Sequence, residues 1–332
     1  MLDFSNNYGG ILSMVTYTNW NSFLPFFSAN STQNYLKKCY QQQKLEKAEP
    51  SSYEKSYPFI YYLEHGQIYY QQAEIAPLLI QPILLFYGLV HLIKACILTI
   101  DPNYPETTSV LAHGVSTRKK KKQQYHFFQD EVKFQKSGLF PYMAEKMFHM
   151  KQLEGEKATM EELLMQIPEL NLLFSRMEGK NTFLPLEKQK EGLFISKCIL
   201  DEYHMTESRF IDYWKTKVTS EILIEDSDQN FMSFKYSQLS IDNILPIKFS
   251  LEDSQFVFPL RKSTLNNYPE LLIHYLLLYN LSMIARYETE WWSEIIKMMP
   301  NRDYPFIKSF LNVTSNKGPY LIYQFLMKEK LA

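Results

Sequence analysis

The stretch Gln81 to Asp101, QPILLFYGLVHLIKACILTID, constrains this chain more than any other. It is long enough for about five helical turns and apolar in almost every direction, so the rest of the molecule has to bury it. Pro82 falls in the first turn, where its missing N–H would have had no partner in any case. At about 100° per residue, Tyr87, His91 and Lys94 share an arc of about 60°, while Leu85, Leu89, Leu92, Ile93, Cys96 and Ile97 fill the other directions. A narrow polar stripe on an oily cylinder is either a set of satisfied core polar groups or a ligand or catalytic site. A membrane span is the competing assignment. A lysine near mid-bilayer costs about 2.5–3.5 kcal/mol, and Lys94 lies inside the apolar run, so the stretch reads as a core helix.

Upstream, Ser31 reads as an N-cap for a helix over 32–47, Pro50 as a break, and residues 58–74 as a second helix. Three helices on short links imply a bundle. After Asp101 the periodicity stops. Residues 102–126 contain Pro102, Pro105, the pair His113-Gly114 and the run Arg118, Lys119, Lys120, Lys121, Lys122, which together predict a long, exposed, basic connection. Val132–Phe134 reads as a short strand and 139–150 as a short helix. Thr159 and Glu162 open a further helix that Pro168 closes.

From about Phe183 the pattern changes to short aromatic or β-branched runs at 193–200, 230–236 and 255–260, with one helix over 206–218. Beyond Pro259 helical spacing returns. Pro269 starts a helix reaching Glu288, on which Tyr275, Tyr279, Ser282 and Arg286 share one face. Helices follow over 290–299 and 304–313, and Gly318-Pro319 marks a break before a last one over 319–330.

The resulting fold class is α+β and mainly α-helical. Segments 1–150 and 263–332 form a helical bundle, and 151–262 is a small insertion containing antiparallel strands. The two polar stripes are complementary if the early and late helices pack side by side, with His91 and Lys94 facing Tyr279, Ser282 and Arg286.

With a net charge of −1, no global field recruits nucleic acid or an anionic membrane, so such binding requires a local patch. The basic run supplies one: His113, Arg118 and Lys119 to Lys122 are candidates for holding phosphate or an acidic protein surface. Ten glycines among 332 residues, with neither GxGxxG nor GxxxxGK[ST], speak against a glycine-rich nucleotide loop. Cys39, Cys96 and Cys198 form no CxxC pair, and no metal or cofactor is expected. An odd cysteine count and an N-terminus without a basic-then-apolar leader predict a cytoplasmic protein.

The segments QPILLFYGLVHLIKACIL, LAHGVSTRKKKK and LSMIARYETEWW resemble the YaaC-like family of Firmicutes proteins over nearly the whole chain. That resemblance implies a bacterial protein acting through protein contacts, with IMP dehydrogenase of purine nucleotide metabolism as the implied partner. The helical part also resembles the HEPN class of nucleotide-binding and RNase domains. Active HEPN nucleases carry an arginine followed four to six residues later by a histidine on one helix. Arg286 has no such histidine after it, and Arg118 precedes His126 by eight positions. The expected function is therefore a non-catalytic binding or regulatory protein. The alternative is a HEPN-like RNase or nucleotide-binding enzyme with His113, Arg118 and Arg286 as its catalytic candidates, for which nucleotide or RNA would be the ligand.

Overall fold

The computed structural model describes residues 17–117, 126–189, 192–218, 222–225, 229–236 and 244–331. Their contacts fall into two compact units, Thr16–Leu164 with Glu270–Ala332, and Met165–Pro269. The fold is mainly helical with small antiparallel sheets.

The chain enters the first unit through α1 (Ala29–Gln42), α2 (Ala48–Ile75) and α3 (Gln81–Ile100). Ser28, rather than Ser31, caps α1, accepting from the Ser31 N–H at 3.4 Å. Pro50 does not interrupt the chain, because it lies in the first turn of α2, where no intrahelical N–H bond is due. Pro58 sits well inside α2 and forfeits one backbone hydrogen bond; the helix continues because Phe59, Leu63, Tyr70 and Ala73 bury one face against its neighbours. α3 is long and apolar enough to cross a membrane, with mean hydropathy 2.2, yet 67% of that window is buried inside the protein, the position of a core helix. α2 packs close against α3 at Gly88, where a Cβ would lie 2.7 Å from the Tyr70 ring.

After α3 the described part of the connection, residues 102–117, is more structured than an exposed loop. Tyr104, Gly114 and Val115 are buried, a 3₁₀ turn spans Thr108–Leu111, and β1 (Val115–Thr117) follows. Positions 118–125, which include Arg118 and Lys119 to Lys122, lie outside the described residues. The strand read at 132–134 is present as β2 (Glu131–Phe134), followed by α4 (Leu139–Phe148), β3 (Lys157–Thr159) and α5 (Met160–Leu164). β2 pairs antiparallel with both β1 and β3. Thr159 and Glu162 form the reciprocal cap expected of them. The Thr159 N–H donates to Glu162 Oε2 at 2.9 Å, and the Glu162 N–H to Thr159 Oγ1 at 3.2 Å.

The unit Met165–Pro269 contains α6 (Asn171–Glu178), β4 (Phe183–Pro185), β5 (Glu187–Gln189), β6 (Gly192–Ser196), α7 (Cys198–Tyr203), α8 (Glu207–Lys215), β7 (Ile222–Glu225), β8 (Phe231–Tyr236), β9 (Lys248–Ser250) and β10 (Gln255–Pro259). Its strands form two antiparallel sheets, ordered β4-β10-β9 and β5-β6-β8-β7. Their apolar sides share a core in which Trp214 packs 4.1 Å from Phe234 and 4.8 Å from Phe258, centroid to centroid. Buried Lys248 donates from Nζ to the Gln166 carbonyl at 2.9 Å and to its Oε1 at 3.0 Å.

The chain then completes the first unit with α9 (Glu270–Tyr287), α10 (Thr289–Met298) and α11 (Asp303–Leu331). α11 is one helix where two were expected. Pro319 removes a single backbone donor, and the buried side chains Phe306, Phe310, Leu311, Ile322 and Leu326 hold both halves on one axis. α9 is enclosed on nearly every side and packs along α3.

Candidate functional site

Where α3 runs beside α9, the two polar stripes meet at one end. Arg286 Nη1 donates to the Tyr87 hydroxyl at 2.9 Å, and its guanidinium lies 5.6 Å from the Tyr87 ring centroid. Its Nε donates to the Ser282 carbonyl at 3.1 Å, while the Ser282 hydroxyl donates to the Tyr279 carbonyl at 2.9 Å. Ser282 is fully buried and acts as a spacer that ties the arginine to its own helix.

Tyr275, one helical turn before Tyr279, is buried and donates from its hydroxyl to the His113 carbonyl at 2.8 Å. The Phe140 N–H donates to the same carbonyl at 3.1 Å. These bonds, together with the left-handed φ of +76° at Gly114, fix His113 against the core. Its ring packs edge-on to Phe86 at 5.0 Å and to Tyr279 at 5.6 Å. His113 therefore belongs with the α3 and α9 stripes, not in an exposed connection.

His91 and Lys94 turn the other way from the facing expected of them. The His91 ring lies nearly parallel to Tyr69 of α2 at 5.7 Å, with His65 at 5.2 Å and Tyr62 at 5.9 Å. Lys94 Nζ lies 5.7 Å from the Tyr62 centroid. The reason is angular. One helical face 60° wide looks into the grooves on both sides of α3, so Tyr87 meets α9 while its neighbours on the stripe meet α2. The outcome is a continuous row: Lys94 and Tyr62, then His91 with His65 and Tyr69, then Tyr87, then Arg286, with His113 and Tyr279 behind. Tyr62, His65 and Tyr69 were not in the polar set read from the sequence. Their spacing of three and four along α2 is the signal that aligned them.

The electrostatics of this row are one-sided. Among the described residues neither Lys94 nor Arg286 has a carboxylate partner, and both are half-buried. Burial, followed by the Lys94 ammonium and His65, pushes the His91 ring down to about 4. Burial first, then Arg286 and Lys94, lowers His113 as well. Burial alone lowers Lys94. The histidines therefore shed protons, and the fixed positive charge rests on Lys94 and Arg286. His91 Nδ1 is buried with no hydrogen-bond partner. Two half-buried cations with no counter-charge among the described residues, lined by aromatic faces, have the chemistry needed to hold an anion.

A second charged cluster is closed to solvent. Lys317 Nζ lies 2.6 Å from Glu270 Oε1, and His274 Nε2 lies 3.4 Å from the same oxygen. His274 Nδ1 and Thr314 Oγ1 are 2.8 Å apart. At 6% exposure or less for all four residues, it is an internal clamp between α9 and α11. No group of three His, Cys, Asp or Glu side chains suited to a metal occurs among the described residues.

No curated protein and no solved structure matches the chain. A family model described as YaaC-like Protein matches residues 24–326.

Proposed function

This chain belongs to the YaaC-like protein family, and we propose that it is a non-catalytic binding or regulatory protein whose α2–α3–α9 row holds an anionic ligand. The observation that carries this reading is the pairing of Lys94 and Arg286, two half-buried cations with no carboxylate partner among the described residues. An anion seated there supplies the missing charge.

The test is thermal unfolding of the full chain against inorganic phosphate and purine nucleotides. A ligand at 100 times its Kd adds about 2.7 kcal/mol to stability. The shift falls in Lys94→Met and in Arg286→Met and disappears when both are replaced. Equal shifts in wild type and both variants, or none with any anion, sink the proposal. Turnover of RNA or nucleotide by the pure protein favours instead the HEPN-like enzyme.

One observation supports a protein partner as well. Tyr53, Tyr57, Tyr61, Ile68 and Ile75 lie along one face of α2 and are each 49% exposed or more. The partner implied by the family resemblance is IMP dehydrogenase, and affinity purification with wild type and Tyr57→Glu/Ile68→Glu tests it. Capture of that enzyme at equal yield by both proteins removes this face from the proposal.

A further inference from the structure

The positions of the two unpaired cations limit the shape of whatever they bind. Arg286 is anchored at Tyr87 and Lys94 lies seven residues further along α3, which at 1.5 Å per residue is about 10 Å of helix axis. A charge-assisted hydrogen bond spans about 2.7–2.9 Å, so two phosphates, one on each cation, suit this rise better than one shared between them. Between them lies the aromatic part of the row, His91 stacked at 16° on Tyr69, with the exposed His65 ring alongside. The order along the surface is cation, flat rings, cation.

We propose that this row takes a nucleotide carrying phosphates at two separate positions, one on Arg286 and one on Lys94, with its base laid on the rings between them. The inference rests on the reading of the row as an anion site and adds the number and spacing of the charges. Aromatic side chains accept the face of any base, so base identity is weakly selected and charge separation strongly. The Arg286 fork is held by Tyr87 on Nη1 and by Ser282 and Met283 on Nε and Nη2, which leaves the second N–H of Nη1 and the guanidinium's charge for a phosphate. Lys94, over the Tyr62 ring, supplies a point charge.

Calorimetric titration of the full chain separates the alternatives, with inorganic phosphate, adenosine 5′-monophosphate, adenosine 3′,5′-bisphosphate and a four-nucleotide RNA as probes. The bisphosphate binds about tenfold or more tighter than the monophosphate. Lys94→Met and Arg286→Met each bring it down to the monophosphate's level, and Lys94→Arg retains the difference. Arg286→Lys, which keeps the charge and loses the fork, gives an intermediate value and serves where Arg286→Met fails to fold. Equal affinities for the two nucleotides in wild type overturn the two-phosphate inference and leave the anion site standing. RNA binding that exceeds the bisphosphate by about tenfold overturns it in favour of a polymer. Absence of binding by all four probes overturns both this inference and the anion site beneath it.

Discussion

The guanidinium of Arg286 and the hydroxyl of Tyr87, 199 positions apart in sequence, meet at 2.9 Å and join the last long stretch of the first unit to its central helix. The bond is charge-assisted and half-buried, and the Tyr87 ring lies beneath the same cation.

Tyr87→Phe keeps the ring and removes the acceptor. Loss of one hydrogen bond to a charged group costs about 1.5–3 kcal/mol when buried, and the half-exposed position brings this to about 1 kcal/mol. Urea unfolding reads the change as a lower midpoint with an unaltered slope. No loss of stability would mean that water replaces the hydroxyl without penalty.

The clamp between Glu270 and Lys317 is closed to water, so removing the lysine takes the nearest cation, at 2.6 Å, from a buried carboxylate. Lys317→Met costs about 3–5 kcal/mol by that route, whereas Glu270→Leu/Lys317→Met together cost less than Lys317→Met alone. The same denaturant titration compares the three proteins, and a double variant no more stable than Lys317→Met would refute the account.

Stability falls with acid through His91. Unfolded, its imidazole takes a proton near 6.5; folded, only at about 4. The unfolded chain binds more protons between those values, so the contribution present above about 6.5 is lost as pH drops towards 4. His113 shifts in the same direction and adds to the slope. His91→Phe flattens the profile. Lys94→Met flattens it less, because burial, the largest cause, remains. Unfolding midpoints across that range in the three proteins check this, and parallel curves would contradict it.

Gly114 holds φ at +76°, and a Cβ there would approach the Phe140 nitrogen to 3.0 Å and collide with Pro141. Gly114→Ala costs about 1–3 kcal/mol from backbone strain and moves His113 off the Phe86 and Tyr279 rings. Loss of stability together with weakened anion binding is the expected pair of results. Full retention of both would show that the turn adapts without cost.

Several features of this protein follow from local sequence alone. The core helix with its polar stripe, the Thr159–Glu162 cap, the short strand at Val132 and the helix that begins after Pro269 each depend on residues within a few positions of one another. Membership of the YaaC-like family is matched over residues 24–326. Tertiary structure decided the rest. Pro50 reads as a break, a helix is expected to start at 58, and Gly318-Pro319 reads as a second break, yet α2 and α11 run through these positions. The helix penalty of an interior proline, about 3 kcal/mol, is set by its own turn, while the burial that offsets it comes from side chains far away in sequence. The same holds at the site. Spacing placed Tyr87, His91 and Lys94 on one stripe, but which groove each one enters, and that His113 closes the row behind them, depends on the neighbours α3 acquires only on folding.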